Sequence, residues 1–457
     1  GGPCRLAWWK LIRAGIMMEW KIRQAARRAP AWFAVMKEMA TIHTFDSLQD
    51  LTPTELLDRL DQLDHRFRGR DVTFAIVAGV SQGLQALRFL MKRWMGPDWH
   101  ALLNTALQRL GNVVSARQVL WLAGLAENAR EEPKAEAFLV AEPWAPEQFR
   151  VKLAGTRFLQ EFGVYLAEYG HRAIGESDLM APRFNEYPEY LLGVVRSHLQ
   201  GRCGQSVKEV LRQQESARER ALLQVHRTLG WRLPQRATFA WWYRRLCHYL
   251  ALREANRHHL MHFSAAVRHL TLLLGEKWSA AGILESKDDV FFLTAEEMWS
   301  VGAGSARDWK NLVVARRAER ARNAEQVVPD LLSPAREVPQ GDDNSVMTSN
   351  LWHGIPISAG FVEGPVCIVL SPADAMKMKQ DHILVMPVID PGMAPLLGLA
   401  AGLVVEMGGT LSHGAIIVRE YGLPAVANVR QVTGLLKDGD RVAVDATAGT
   451  VRRLHAS

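Results

Sequence analysis

The chain has 457 residues, 48% hydrophobic and 23% charged, which suits two or three folded domains with sizeable cores. No run of about 18 uncharged apolar residues occurs, so a membrane span is not expected. The formal net charge of +7 is uneven: residues 350–457 hold 8 Lys+Arg against 9 Asp+Glu, so the excess lies in front. There the charges alternate in sign, as in "DRLDQLDHRFRGRD" and "KEVLRQQESARERA", the pattern of solvated helical faces. No basic stripe with interleaved aromatics appears, so no nucleic-acid partner is expected.

The first residues, "GGPCRLAWWKLIRAG", are basic and apolar but lack the smooth apolar centre and small-residue cleavage site of a signal peptide. A leading Gly-Gly without Met reads as an interior start or an expression scar. The four cysteines, Cys4, Cys203, Cys247 and Cys367, are too scattered for a disulfide framework or a CxxC metal site, which points to a reducing, cytoplasmic compartment. Up to about residue 330 the chain reads as helix after helix. "LTPTELLDRLDQLDHRF" offers Thr52 as N-cap, Pro53 at the first helical position, and Leu56, Leu57, Leu60 and Leu63 on one stripe. "EQFRVKLAGTRFLQEFGVYLAEYG" and "LREANRHHLMHFSAAVRHLTLLLGEKW" keep the same 3.6-residue rhythm. "SPAREVPQGDDNSVMTSN", residues 333–350, breaks it with prolines and polar residues and reads as a linker. Beyond it come short β runs, "PVCIVL", "HILVM", "GLVVEM", "RVAVDA" and "TVRRL", with helical pieces at "SPADAMKMK" and "LSHGAIIVREYG". The expected organisation is multidomain: a large mainly α-helical substrate domain (1–332), a linker (333–350) and a small α/β domain (351–457).

Within the last part, "MGGTLSHGAIIVREYGLPAVA" concentrates the chemistry. Gly408 and Gly409 permit close backbone approach, and Thr410 and Ser412 can cap a helix beginning near His413. A histidine at a helix N-terminus is kept neutral and nucleophilic by the positive end of the dipole. If its nitrogen takes a phosphoryl group, free backbone N–H groups and small hydroxyls receive the anion. A metal would need further ligands nearby. A structural role for a lone histidine stays open on these residues alone.

Residues 353–454 resemble the swivelling phosphohistidine domain of the phosphoenolpyruvate-utilising family. "HGIPISAGFVEGPVCIVL" resembles its first strands, "HILVMPVIDPGMAPLL" the segment with Asp-Pro after a strand, "GGTLSHGAIIVREYGLPAVAN" the active-site signature, and "LKDGDRVAVDATAGTV" the closing hairpin. The resemblance implies a β/β/α swivelling fold with His413 as phosphocarrier. It also implies Gly409, Thr410 and Ser412 around the phosphate, and Arg419 as an anion partner. In this family the phosphohistidine is charged by an ATP-grasp domain or by a phosphoenolpyruvate barrel. Neither a phosphate-cradling Gly-rich loop before a Lys nor ATP-grasp glycine pairs occur in 1–330. ATP and Mg are therefore expected on an ATP-grasp domain or subunit outside this chain.

"YGHRAIGESDLMAPRFNEYPEYL" resembles a segment of the substrate domain of rifampicin phosphotransferases and of the prodigiosin-type ATP-dependent condensing enzymes, although Phe184 stands where Trp is usual. "LREANRHHLMHFSAAVRHLTLLLGEKWSAAGILESKDDVFFLTAEEM" resembles the same proteins, with Arg253, Glu254 and Arg257 where their signature reads R-E-x-x-K. Arg253 and Arg257, at i,i+4, repel unless an anion or carboxylate sits between them. A transferred phosphoryl group would serve, because forked guanidiniums suit it. His171, Arg172, Glu176 and Arg183 offer a second acceptor-side set; the alternative for both sets is a buried salt-bridge network. "HHLMH" lacks the Glu of a metalloprotease helix, so no metal is expected there. The expected activity is phosphoryl transfer from ATP through phospho-His413 to a small, hydrophobic acceptor. The alternatives are a condensing ligase using the same carrier, and a non-catalytic remnant.

Overall fold

The computed structural model describes residues 8–42, 48–67, 70–97, 99–108, 114–200, 207–324, 326, 350–370, 374, 377–409 and 412–454; of His413 it describes the backbone. Residues 333–349 of the linker expected at 333–350, Thr410, Cys4 and Cys203 lie outside these residues, as does most of "SPADAMKMK".

The front of the chain is helical: α1 (Trp8–Ile42), α2 (Pro53–Arg66), α3 (Arg70–Trp94), α4 (Trp99–Ala106), α5 (Val114–Glu131), α6 (Pro133–Val140), α7 (Phe149–Lys152), α8 (Arg157–Tyr169), α9 (Glu189–Gln200), α10 (Val207–Leu229), α11 (Leu233–Ala280), α12 (Ala295–Gly302) and α13 (Trp309–Ala324). Helix α2 starts as its residues require. The Thr52 hydroxyl accepts from the Glu55 amide at 3.3 Å, and the Glu55 carboxylate accepts from the Thr52 amide at 2.7 Å. Such a capping box contributes about 1 kcal/mol. Leu56, Leu57 and Leu63 are buried against α11 and its neighbours. One expected continuous helix is broken: between Lys152 and Arg157 the chain turns, and Thr156 caps α8 by accepting from the Leu159 amide at 3.1 Å. Helix α11 runs further than its sequence segments suggest, 48 residues, because α1, α2, α3 and α5 cover it along its length.

Residues Asp71–Trp94 of α3 form one helix long and apolar enough to cross a membrane by length and composition. In this fold Val80, Leu84, Leu87 and Met91 instead join a helical core with Leu246 and Leu250 of α11, and Ile22 of α1. Burial against two helices accounts for part of the apolar run, while Phe74, Val77 and Phe89 stay exposed.

The C-terminal part is a mixed eight-stranded sheet in the order β1-β8-β7-β3-β4-β5-β6-β2, with β1 Leu351–His353, β2 Ile355–Ser358, β3 Phe361–Ile368, β4 Ile383–Val388, β5 Gly402–Met407, β6 Ala425–Ala427, β7 Arg441–Asp445 and β8 Thr450–Arg453. Strands β3 to β6 are parallel, whereas β1, β8 and β7 continue from β3 as antiparallel pairs and β2 closes the other edge. The central strands read as unbroken Val/Ile/Leu runs because both faces are covered. The short strands β1, β2 and β6 carry too few residues for periodicity to reveal them.

The sheet part packs on the helices. Ser197 of α9 donates to the Met378 carbonyl at 3.4 Å, and the Gln214 amide of α10 donates to the Tyr421 carbonyl. Both parts contribute to one apolar cluster, including Val119, Val195, Leu396, Leu397, Ala415 and Val418.

Candidate active site

The parallel strands end on one side in loops, and two of these build the site. The loop after β5 leads to the helix His413–Tyr421, with His413 as its first residue. Ser412 is the N-cap, its hydroxyl accepting from the Ala415 amide at 3.1 Å. The leading amides of that turn lie outside the helical ladder and point toward the His413 end. Gly414 follows because a side chain could not: a Cβ there would lie 2.1 Å from the Cβ of Ile389. The start of this helix is thereby seated on the loop after β4.

That loop carries Asp390, whose carboxylate accepts from the Gly392 amide at 2.8 Å. Gly392 in turn abuts the helical part so closely that a Cβ would fall 1.6 Å from the Ala173 carbonyl oxygen. The Asp390 loop thus bridges the His413 helix and the segment between α8 and α9.

On the helical side Glu176 is fully buried at 0% exposure and joins two arginines. Arg172 donates through Nε and Nη2 to its two oxygens, and Arg257 of α11 donates through Nε at 2.8 Å. Arg257 also reaches Ser177 Oγ at 2.8 Å, and Arg183 donates to the Glu176 carbonyl at 3.0 Å. Burial alone would raise the Glu176 pKa, but Arg172 and Arg257 outweigh it and hold the carboxyl below its ordinary range. The i,i+4 arginine repulsion is therefore offset by carboxylates, with Glu176 on Arg257 and the buried Glu254 beside Arg253. The structure joins Arg172, Glu176, Arg183 and Arg257 in one network that spans the loop and α11.

Arg253 is half-buried and its pKa is lowered, by burial first. His171 packs against His258 and His262 rather than into the arginine network. Arg419 lies six residues beyond His413, about 9 Å further along the helix axis. It is buried, donates to the Ile357 carbonyl at 3.1 Å, and burial lowers its pKa to about 10.

Sequence reasoning missed Asp390. Its only signal was the Asp-Pro pair after a strand. Burial, and then the nearby Glu176 carboxylate, raise its pKa to about 6, against the opposing pull of the Gly392 amide, Arg257 and Arg172. A carboxyl whose folded pKa is raised stabilises the fold below its ordinary pKa, and that contribution is lost as pH rises through about 6. Asp390→Asn is accordingly expected to be more stable than the parent chain at pH 8, with the difference shrinking toward pH 5. Denaturant unfolding at both pH values measures this, and an unchanged difference would remove the raised pKa from the account.

Residues 72–254 match the family model described as rifampicin phosphotransferase fourth domain, and residues 378–449 match that of the PEP-utilising enzyme, mobile domain. The chain is 29% identical over 437 residues to a rifampicin phosphotransferase of Streptomyces sviceus, covering 93% of this chain and 49% of the relative. A Streptomyces sp. rifampicin phosphotransferase is 30% identical over 394 residues, covering 83% and 44%. The prodigiosin synthesizing transferase PigC of Serratia marcescens is 25% identical over 451 residues, covering 94% and 49%. The chain spans about half the length of the curated relatives it matches. By sequence the chain is similar to the rifampicin phosphotransferases, combining a region like their fourth domain with one like the mobile domain of the PEP-utilising enzymes.

Proposed function

We propose that this chain is the acceptor-holding and phosphocarrier portion of an ATP-dependent phosphotransferase. It would pass a phosphoryl group through His413 to a hydroxylated, hydrophobic small molecule such as a rifamycin. The observation that carries the reading is the seating of the His413 helix, through the Asp390 loop, against the Arg172–Glu176–Arg257 network. In this arrangement the acceptor oxygen attacks phosphorus, the N–P bond to a His413 ring protonated on its other nitrogen breaks, and the imidazole leaves neutral. The hydroxyl proton passes to a base, and Asp390, largely ionised at pH 7 and able to hold a proton near pH 6, suits that role. Arg253 and Arg257 neutralise charge on the transferring group. Gly409 and Ser412, with Thr410 outside the described residues, support the phosphate on the carrier.

ATP and Mg would be held by an ATP-grasp domain or subunit, because the helical part offers no strand and glycine loop ahead of a lysine among the described residues. The carrier must then travel between that site and the acceptor, which assigns 351–457 to a swivelling domain and 333–350 to its tether. Limited proteolysis is expected to cut first within 333–350. Earlier cuts inside 360–450 would contradict a separate swivelling domain.

The test combines the chain with an ATP-grasp partner and labelled ATP. Arg253→Ala and Arg257→Ala are expected to slow transfer roughly 10–100-fold, the loss of one charge-assisted contact, while His413 still takes the label. Failure of either variant to become labelled would move the arginine to the donor side. The similarity to PigC over 94% of the chain supports a second reading in which the phosphorylated acceptor is displaced by a carbon nucleophile. Product analysis separates the two: a stable phosphate ester, or free phosphate with a joined product.

A further inference from the structure

We infer that His171, His258 and His262 form a binding site for one transition-metal dication of the zinc type. The site lies directly behind the Arg172–Glu176–Arg257 network. The sequence offered only an i,i+4 histidine pair on α11; the fold supplies a third imidazole from the α8–α9 segment, 87 residues away. One ring nitrogen from each residue lies within 4.8 Å of the other two, and all three side chains are buried, at 8%, 3% and 7% exposure. Tetrahedral ligation with bonds of 2.0–2.1 Å places nitrogens about 3.3 Å apart, so the His171 and His262 rings, stacked with centroids 3.5 Å apart, must swing out of that stack to close on the ion.

The hydrogen bonds fix the protons as a metal requires. His171 Nε2 is 3.2 Å and His262 Nδ1 is 3.3 Å from the carbonyl oxygen of His258. A carbonyl only accepts, so each of these nitrogens carries the proton and donates it. The other nitrogen of each ring, His171 Nδ1 and His262 Nε2, then offers a bare lone pair. Ligating histidines characteristically donate their second N–H to a backbone carbonyl in this way. His258 adds a buried Nδ1 that has no hydrogen-bond partner among the described residues. Neutral imidazoles select borderline metals over hard ones such as Mg.

Charge around the site sets its strength. Arg172 and Lys37 face the histidines and oppose a dication, while Glu176 and Glu254 face Arg172 and offset it. The bound metal would tie the α8–α9 segment to α11 at the point where both hold Glu176, and so position the acceptor-side network. This does not depend on the reading of His413, and its test needs no turnover.

The purified full chain, stripped with chelator, is titrated with CoCl2 and then ZnCl2. The expected result is one cobalt per chain with the visible d–d absorption of a four-coordinate site, displaced by zinc, and a rise in melting temperature on loading. His258→Gln and His262→Gln should each weaken binding at least 100-fold. Circular dichroism would confirm that they stay helical, and His259→Gln, on the same helix, should leave binding unchanged. No visible cobalt spectrum in the parent chain overturns the site. So does binding that survives both His258→Gln and His262→Gln, because the metal would then sit elsewhere. If a variant unfolds, the parent's spectrum and stoichiometry decide alone.

Discussion

His413→Ala, in the chain reconstituted with an ATP-grasp partner, is expected to lose phosphate labelling and product formation together, by roughly 10³-fold or more. On the proposed route His413 is the carrier between donor and acceptor, so no partial substitute is expected. His413→Asn should be equally inactive, since it keeps size and hydrogen bonding but offers no nucleophilic nitrogen. The label on the parent chain should be acid-labile and base-stable, because a phosphoramidate loses its phosphoryl group once the ring is protonated. Ser412→Ala, by contrast, removes one capping hydroxyl from the helix His413–Tyr421. That costs about 1 kcal/mol, or about fivefold in rate if expressed fully in the transition state. Full turnover by His413→Ala would reduce the glycines and hydroxyls around it to turn and cap residues.

What could be read in advance follows from how local each cause is. The Thr52 cap, the buried Leu56, Leu57 and Leu63, and the β runs of β4 and β5 depend on neighbours within a few residues, and so appear in the sequence. Ser412 as the cap of a helix starting at His413 is of the same kind. The Glu176 network is not. Its arginines lie four residues before and 81 residues after the carboxylate, and the composition is equally compatible with exposed charges. Asp390 becomes noteworthy only once Gly392 meets Ala173 and brings Glu176 near. The three histidines show the same limit: spacing reveals His258 and His262, whereas His171 arrives through tertiary packing. Close approaches at Gly392 and Gly414 had no sequence signal beyond the glycine itself.

Glu176→Ala should be the most destabilising single change in the Arg172–Glu176–Arg257 network. Arg172 is 1% exposed, and Glu176 takes both its Nε and Nη2 donors while also holding Arg257. Removing the carboxylate strips a buried guanidinium of its hydrogen-bonded partner and leaves only the more distant Glu254 and Asp390, which costs about 3–5 kcal/mol, a large share of a domain's total stability. Replacing the whole cluster with apolar residues would cost far less, because the penalty lies in the orphaned charge and not in the lost bond. Glu176→Gln keeps the shape and one acceptor oxygen, so it should fall between the parent and Glu176→Ala. The pH dependence has a definite sign. A carboxyl whose folded pKa is lowered contributes stability above its ordinary pKa and loses it as pH falls through the folded value. The gap between the parent chain and Glu176→Ala should therefore be widest near neutrality and close in acid. Denaturant unfolding at pH 7 and pH 4 measures it. A loss below about 1 kcal/mol at pH 7, the size of an exposed pair, would mean that Arg172 finds water or another anion. The network would then be a surface-like feature and not a buried support of the fold.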